Sequence, residues 1–412
     1  MNTQNHNQLS CAKLSSSIFP ASYNAKKAFF TILFSLYLAL SLIRFMRSGF
    51  LITCIIMGLG LFALILLSTR IRREYIPIYV FAGFLATSFL VSSIFVSRTE
   101  GLPRIFLHIV SCTGIAMILL MGYVYSWGGY IVFYSFVVYF LMLMFTGVDA
   151  NSALKITSWN GISMIMLVAC ISLYIILSME NKKIDLKPAF FTLVISIWGI
   201  GRSGIASSFV LFLGLLFVRV RGIRKKIYIV FICLFIAFLF RDNLIKFVTN
   251  SSFFGNAINR YEVTSRTDIR NSERVIIWTN YFNNLDIFRV IFGVNVRKDP
   301  WPEGEKLEYN YHNSFINLHL QTGFMALIVI ALSIFSLFKF YRINKVFLFL
   351  FLTVILRWST DLGIFFDSFD FIPYFFIFYY LTWIIQKKLC LPAPRLNRSR
   401  YNEKKPGRKG PP

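Results

Sequence analysis

Apolar runs long enough to cross a bilayer recur through nearly the whole chain, and that recurrence constrains the fold more than any other feature. About 30 Å of hydrocarbon takes roughly 20 helical residues. Backbone polar groups inside it must be satisfied within the protein, which makes the helix the natural spanning element for such runs. Runs at 28–43, 49–68, 76–96, 105–125, 130–148, 161–178, 188–201, 204–218, 227–240, 314–338, 346–358 and 371–385 predict about twelve transmembrane helices. The 412-residue chain is 57% hydrophobic and only 15% charged, whereas charged residues make up roughly a quarter of soluble domains. A soluble fold is excluded, and the expected class is an all-α polytopic membrane protein built as one unit.

Orientation follows from where the cations stand. Lys26/Lys27, Arg70/Arg72/Arg73, Lys182/Lys183/Lys187, Arg219–Lys226 and Lys339/Arg342/Lys345 occupy every second junction, and the positive-inside tendency makes these cytoplasmic. The sparser cations at Arg44/Arg47, Arg98/Arg104, Lys155 and Arg202 mark the outer side. Both termini are then cytoplasmic, with 1–27 as an N-terminal segment and 386–412 as a basic tail rich in Pro and Gly. The first run lacks a compact h-region with a small-residue cleavage site, so it is read as a retained span. Helices 1–9 fill 28–240, and helices 10–12 fill 312–385.

A formal charge of +25 would suggest nucleic acid in a soluble protein. Here the cations fall between apolar spans and no nucleic-acid-binding motif is present, so anionic lipid headgroups and anionic substrates are the expected partners. The six cysteines show no CxxC spacing, so neither a disulfide framework nor a zinc site is expected.

The exception to the short junctions is 241–311, a large outer loop with ten basic and nine acidic side chains. Ser272 followed by apolar residues at helical spacing through Phe282 predicts an N-capped amphipathic helix. Val290–Asn295 reads as an extended segment turning at Gly293.

Chemistry in such a chain would have to come from few residues. His312 stands where the outer loop meets the next apolar run, wet on one side and dry on the other, where an imidazole can act as a general base near neutral pH. It could equally cap the helix beginning at Asn313 or Ser314. His319, deeper in the run, reads as a packing or hydrogen-bonding residue. Arg202, Arg266, Arg270 and Arg274 form the second class, because a guanidinium fork suits phosphate oxygens and stays charged in a partly apolar site. Arg266 and Arg270 also read as a solvated face paired with Glu262, Asp268 or Glu273. Arg202, flanked by glycines at an outer hairpin end, runs against the positive-inside tendency and is the stronger functional candidate. No HxxxH, HExxH or outer-loop DxD spacing occurs, so no metal site is expected.

The large outer loop, His312-Asn313 followed after nine residues by Gly323, Arg274-x-x-x-Trp278 upstream and the Gly-Arg202-Ser hairpin together resemble the O-antigen ligase and polymerase superfamily of the Wzy and WaaL types. The resemblance covers 190–340 well and the remainder by hydropathy alone. Ala326 stands where the family carries a second glycine. What the resemblance implies is a GT-C-like, metal-independent and cofactor-free glycosyltransferase of the bacterial inner membrane. Its donor would be an undecaprenyl-diphosphate-linked glycan, used on the periplasmic side, where 241–311 would lie. His312 would deprotonate or orient the acceptor hydroxyl and Asn313 would help hold it, while Arg202 and Arg274, with Arg270, would bind the donor diphosphate. The implied partners are undecaprenyl-diphosphate-linked oligosaccharides, membrane lipids, and a chain-length regulator and flippase. Nucleic acid is not among them.

Polymerase and ligase share these motifs and differ in acceptor: another lipid-linked repeat unit, or lipid A-core. The compact outer loop, and the segment Leu356–Asp370, which resembles the charged loop before the last span in many repeat-unit polymerases, favour a polymerase, with the ligase as the alternative. A lipid-glycan flippase is a third reading, and it would call for ionisable groups at mid-membrane, which are nearly absent from the runs.

Overall fold

The computed structural model describes residues 20–47, 49–68, 73–97, 102–150, 152–154, 160–199, 201–220, 222, 278–279, 281–295, 313–361 and 366–389. Among these residues regular structure is helical throughout. The helices are α1 Pro20–Met46, α2 Phe50–Ser68, α3 Ile76–Phe95, α4 Leu102–Leu120, α5 Ser126–Phe145, α6 Asn160–Met179, α7 Lys187–Trp198, α8 Arg202–Arg219, α9 Ile287–Phe292, α10 Ser314–Thr322, α11 Met325–Ile343, α12 Lys345–Ser359 and α13 Phe371–Leu389. Eight of them, α1 to α6, α8 and α11, are long and apolar enough to cross a membrane. α7 and α12 are shorter, and α13 ends in Gln386-Lys387-Lys388. The expected run 227–240 lies outside the described residues.

The chain is a polytopic membrane protein by these helices. α6 is its axis: every residue from Gly161 to Leu177 is buried, because α1, α4, α5, α7, α8 and α12 all pack against it. A helix that is apolar all round must be surrounded in this way. α13 buries its first half, Phe371–Phe378, where Phe375 and Phe376 pack edge-on against Phe347.

Side-chain bonds sort the helix ends into two opposite sets. One joins Lys27 of α1, Ser126 of α5 and Glu180 after α6; Arg219 of α8 meets Asp185 there, and Lys339 of α11 lies over the Trp383 ring of α13. The other set joins Arg44 of α1 to Asp367, Ser97 after α3 to Asn295, and the starts of α6 and α8 to the end of α12. Successive long helices therefore run antiparallel, as the alternating cation pattern predicts.

The expected single span 314–338 is instead two helices. α10 ends at Gly323, which adopts φ +54°, and α11 starts afresh at Met325. The cause lies in the outer loop. The Phe324 amide donates to the Ile291 carbonyl at 3.0 Å and the Val294 amide to the Leu320 carbonyl at 3.0 Å, so two backbones run in contact. A Cβ on Gly323 would sit 1.9 Å from the Ile291 oxygen, and one on Gly293 (φ +81°) 2.3 Å from the Leu320 oxygen. Only glycine satisfies both the left-handed φ and the space. The expected extended reading of Val290–Asn295 is corrected as well. Asp286 caps the Arg289 amide at 2.7 Å and starts α9, so Val290 to Phe292 are helical, with the turn at Gly293 where expected.

Candidate functional site

Arg357 organises the helix ends of the second set. It stands in the last turn of α12, a helix started by Asn344, whose side chain accepts from the Val346 and Phe347 amides. The guanidinium is buried (2% exposed), and its two Nη groups donate to three segments. Nη1 donates to Ser203 Oγ at 3.1 Å and to Asp361 Oδ2 at 3.1 Å, and Nη2 donates to the Asn160 carbonyl at 3.0 Å. The planar, permanently charged fork suits such a multi-partner site better than an ammonium would. Ser314 Oγ then donates to the Asp361 carbonyl at 2.8 Å, which ties α10 to the same junction.

Arg202 is the first residue of α8, exposed, and adjacent to Ser203. Its flanking glycines let α8 close on α6: a Cβ at Gly201 would lie 2.3 Å from Asn160 Oδ1, and one at Gly204 2.0 Å from Ser163 Oγ. A cation in the first turn of a helix opposes the helix dipole, so Arg202 is poorly placed to stabilise α8. Its position suits an anion held against both the guanidinium and the helix N-terminus.

Asn313 is the N-cap of α10. Its Oδ1 accepts from the Phe315 amide at 2.9 Å and the Ile316 amide at 3.2 Å, so the capping role considered for His312 is carried by Asn313 itself. The chain Ser203–Arg357–Asp361–Ser314 thus brings Arg202 and Asn313 to one junction. His312, Arg270 and Arg274 lie outside the described residues.

α9 and α10 form a platform behind Asn313. Tyr281, Val294, Ile316 and Leu320 make a small apolar cluster that Trp278 joins. His319 Nε2–H donates to the Val290 carbonyl at 3.1 Å, and Nδ1 is hydrogen-bonded to the Tyr281 hydroxyl, which donates to it when the ring is neutral. Burial lowers its pKa, partly offset by the Val290 carbonyl, and α10, at nine residues, is too short to span. His319 is a packing and hydrogen-bonding residue, as its depth in the run suggests.

A second polar group lies at the same ends of α1 and α4. Arg44 Nη1 pairs with Asp367 Oδ1 at 2.6 Å, and His108 is buried beside them with neither ring nitrogen hydrogen-bonded among the described residues. Burial raises the Asp367 pKa, but Arg44, His108 and the Ser368 amide outweigh it and hold the carboxyl below its ordinary value. Among the described residues no three His, Cys, Asp or Glu side chains gather as a metal would require.

Arg357 is the junction residue that sequence reading did not single out. Its signal was present: an arginine closing an apolar run, with an aspartate four residues on. The sequence matches no family model and no curated protein, so function has to be argued from this junction and the residue pattern around it.

Proposed function

We propose that the chain is a metal-independent membrane glycosyltransferase, a polymerase of O-antigen or a related surface polysaccharide, joining undecaprenyl-diphosphate-linked repeat units at the periplasmic face of the bacterial inner membrane. One observation carries the reading. An exposed arginine at a helix N-terminus, Arg202, is linked through Ser203, Arg357, Asp361 and Ser314 to Asn313, the residue after His312. An exposed guanidinium at a helix N-terminus suits a diphosphate, for which forked charge-assisted bonds give both energy and geometry. The opposite helix ends gather Lys27, Lys182, Lys187, Arg219 and Lys339, and that cation excess favours assigning them to the cytoplasm, which would leave the junction facing outward.

In this mechanism the acceptor hydroxyl of one lipid-linked unit attacks C1 of the donor sugar. His312 takes the hydroxyl proton, the C1–O bond to diphosphate breaks, and undecaprenyl diphosphate leaves with the electron pair. Arg202, with Arg274 and Arg270 from the loop, would stabilise the charge that develops on the diphosphate oxygens. Asn313, with its oxygen committed to the α10 amides, would act by fixing where the chain enters α10 and by its amide donors.

The test is a glycolipid profile of a deletion strain complemented with variants. A core carrying a single repeat, with the ladder restored by the parent chain, supports the polymerase. Bare core with accumulated lipid-linked polymer would move the reading to a ligase, and an unchanged profile would overturn both. His312→Ala should lower transfer about 10²–10⁴-fold while the protein still inserts.

A further inference from the structure

α9 belongs to a loop expected to face water, yet it presents its apolar side outward. Ile287 is 80% exposed, Phe288 48% and Ile291 46%. At 100° per residue these three share one face. Arg289, beside its cap Asp286, points elsewhere, and its Nη1 donates to the Asn284 carbonyl at 2.9 Å.

The depth of α9 is set by α3. Ser92 Oγ donates to the Phe292 carbonyl, and Asn295 Nδ2 donates to the Val96 carbonyl at 3.1 Å. The Phe95 ring stacks on Phe292 with centroids 4.1 Å apart and meets Phe288 edge-on. α9 therefore lies beside the last turn of a spanning helix, not beyond its end. Its exposed face runs on into the exposed Ile94 and Phe95 of α3, and the nearby start of α11 exposes Phe324 and Leu327. α3 and α11 are both long and apolar enough to cross a membrane, so their exposed apolar faces are covered by lipid.

We infer that α9 lies in the bilayer interface, with Ile287, Phe288 and Ile291 inserted where headgroups meet acyl chains. The partner is lipid and not another protein, because the face continues a surface that lipid already covers. An amphipathic helix of this kind sits about 5–10 Å into the headgroup and acyl boundary. This part of the outer loop is a membrane element, and through the Gly293 and Gly323 contacts it sets the position of α10. The inference needs only the spanning helices, so it stands or falls separately from the proposed glycosyl transfer.

The experiment uses the full chain in phosphatidylethanolamine–phosphatidylglycerol vesicles, with the exposed Cys54 and Cys11, Cys233 and Cys390 replaced by Ser. An environment-sensitive fluorophore is placed at Ile287→Cys and, for comparison, at Phe84→Cys, exposed in the middle of α3. The expected result is a blue-shifted label at 287 that loses intensity to phospholipids brominated near the headgroup and is protected from aqueous iodide. The label at 84 should respond to bromines deep in the chains. Iodide quenching at 287 without lipid quenching would overturn the inference. So would protection from both, which would mean that protein covers the face. Elution identical to the parent's establishes folding, and Ile291→Cys is read if Ile287→Cys fails that criterion.

Discussion

Two charge clusters, at opposite ends of the bundle, solve the same problem with opposite signs. At one end the anion is central: Glu180 Oε1 meets Lys27 Nζ at 2.9 Å, its Oε2 meets Lys182 Nζ at 2.9 Å, and the Ser126 amide donates to it at 3.0 Å. At the other the cation is central: the Nη groups of Arg357 donate to a carboxylate, a hydroxyl and a carbonyl. The first is a clamp that titrates. Burial raises the Glu180 pKa, but the Lys27, Lys182 and Ser126 bonds prevail and hold it below the ordinary glutamate value. The second is built on a guanidinium, whose charge is permanent, and Arg202 stands next to its partner Ser203. A clamp of the first kind fastens helices through a carboxylate, whereas a junction of the second kind fastens them through a guanidinium, beside which, on the proposed reading, Arg202 would hold an anion.

The largest effect should come from Arg357→Ala. Removing one partner of a buried pair typically costs about 3–5 kcal/mol, so this variant should show poor accumulation and a clearly lowered melting temperature in detergent. Arg357→Lys should fall between, since an ammonium cannot reproduce the fork. Melting like the parent's for Arg357→Ala would erase the contrast drawn above.

Arg202 sharpens the comparison by separating anion binding from fastening. Arg202→Lys should keep stability and lose a substantial part of transfer, and Arg202→Ala should lose more. Complementation with expression checked reads both, and full ladders from Arg202→Ala would remove it from the site.

Glu180 tests the titrating clamp. Its depressed pKa means a contribution to stability that is complete above the unfolded-state value, about 4.3, and is lost as pH falls through the lower folded value. Glu180→Gln should therefore melt below the parent at neutral pH, with the gap narrowing under acid. A gap that is constant with pH would show that the carboxylate charge contributes nothing.

The smallest effect is expected at Arg289, whose pair with Asp286 is partly exposed and spans 3.8 Å. Such pairs are worth about 0–1 kcal/mol, so Arg289→Ala should leave melting and transfer near those of the parent.

The spanning helices were largely legible in the sequence. The runs 49–68 and 76–96 became α2 and α3 within a residue, because hydropathy over one helix length is a local property. The junction was half legible. Arg202 stood out against the positive-inside tendency, and Asn313 was singled out together with His312, which lies outside the described residues. Arg357 did not stand out, since its partners Ser203 and Asn160 lie 154 and 197 residues away.

What the sequence by itself determined is the membrane class, the positions of the long helices and the alternation of basic and sparse ends, all of which follow from composition along a line. Tertiary structure alone decided that the run 314–338 breaks at Gly323 and that one arginine ties α6, α8 and α12 together. The physical reason is the same in both cases. A left-handed glycine and a buried guanidinium are each specified by atoms that distant segments bring to them: the Ile291 carbonyl behind Gly323 and the Asn160 carbonyl in front of Arg357.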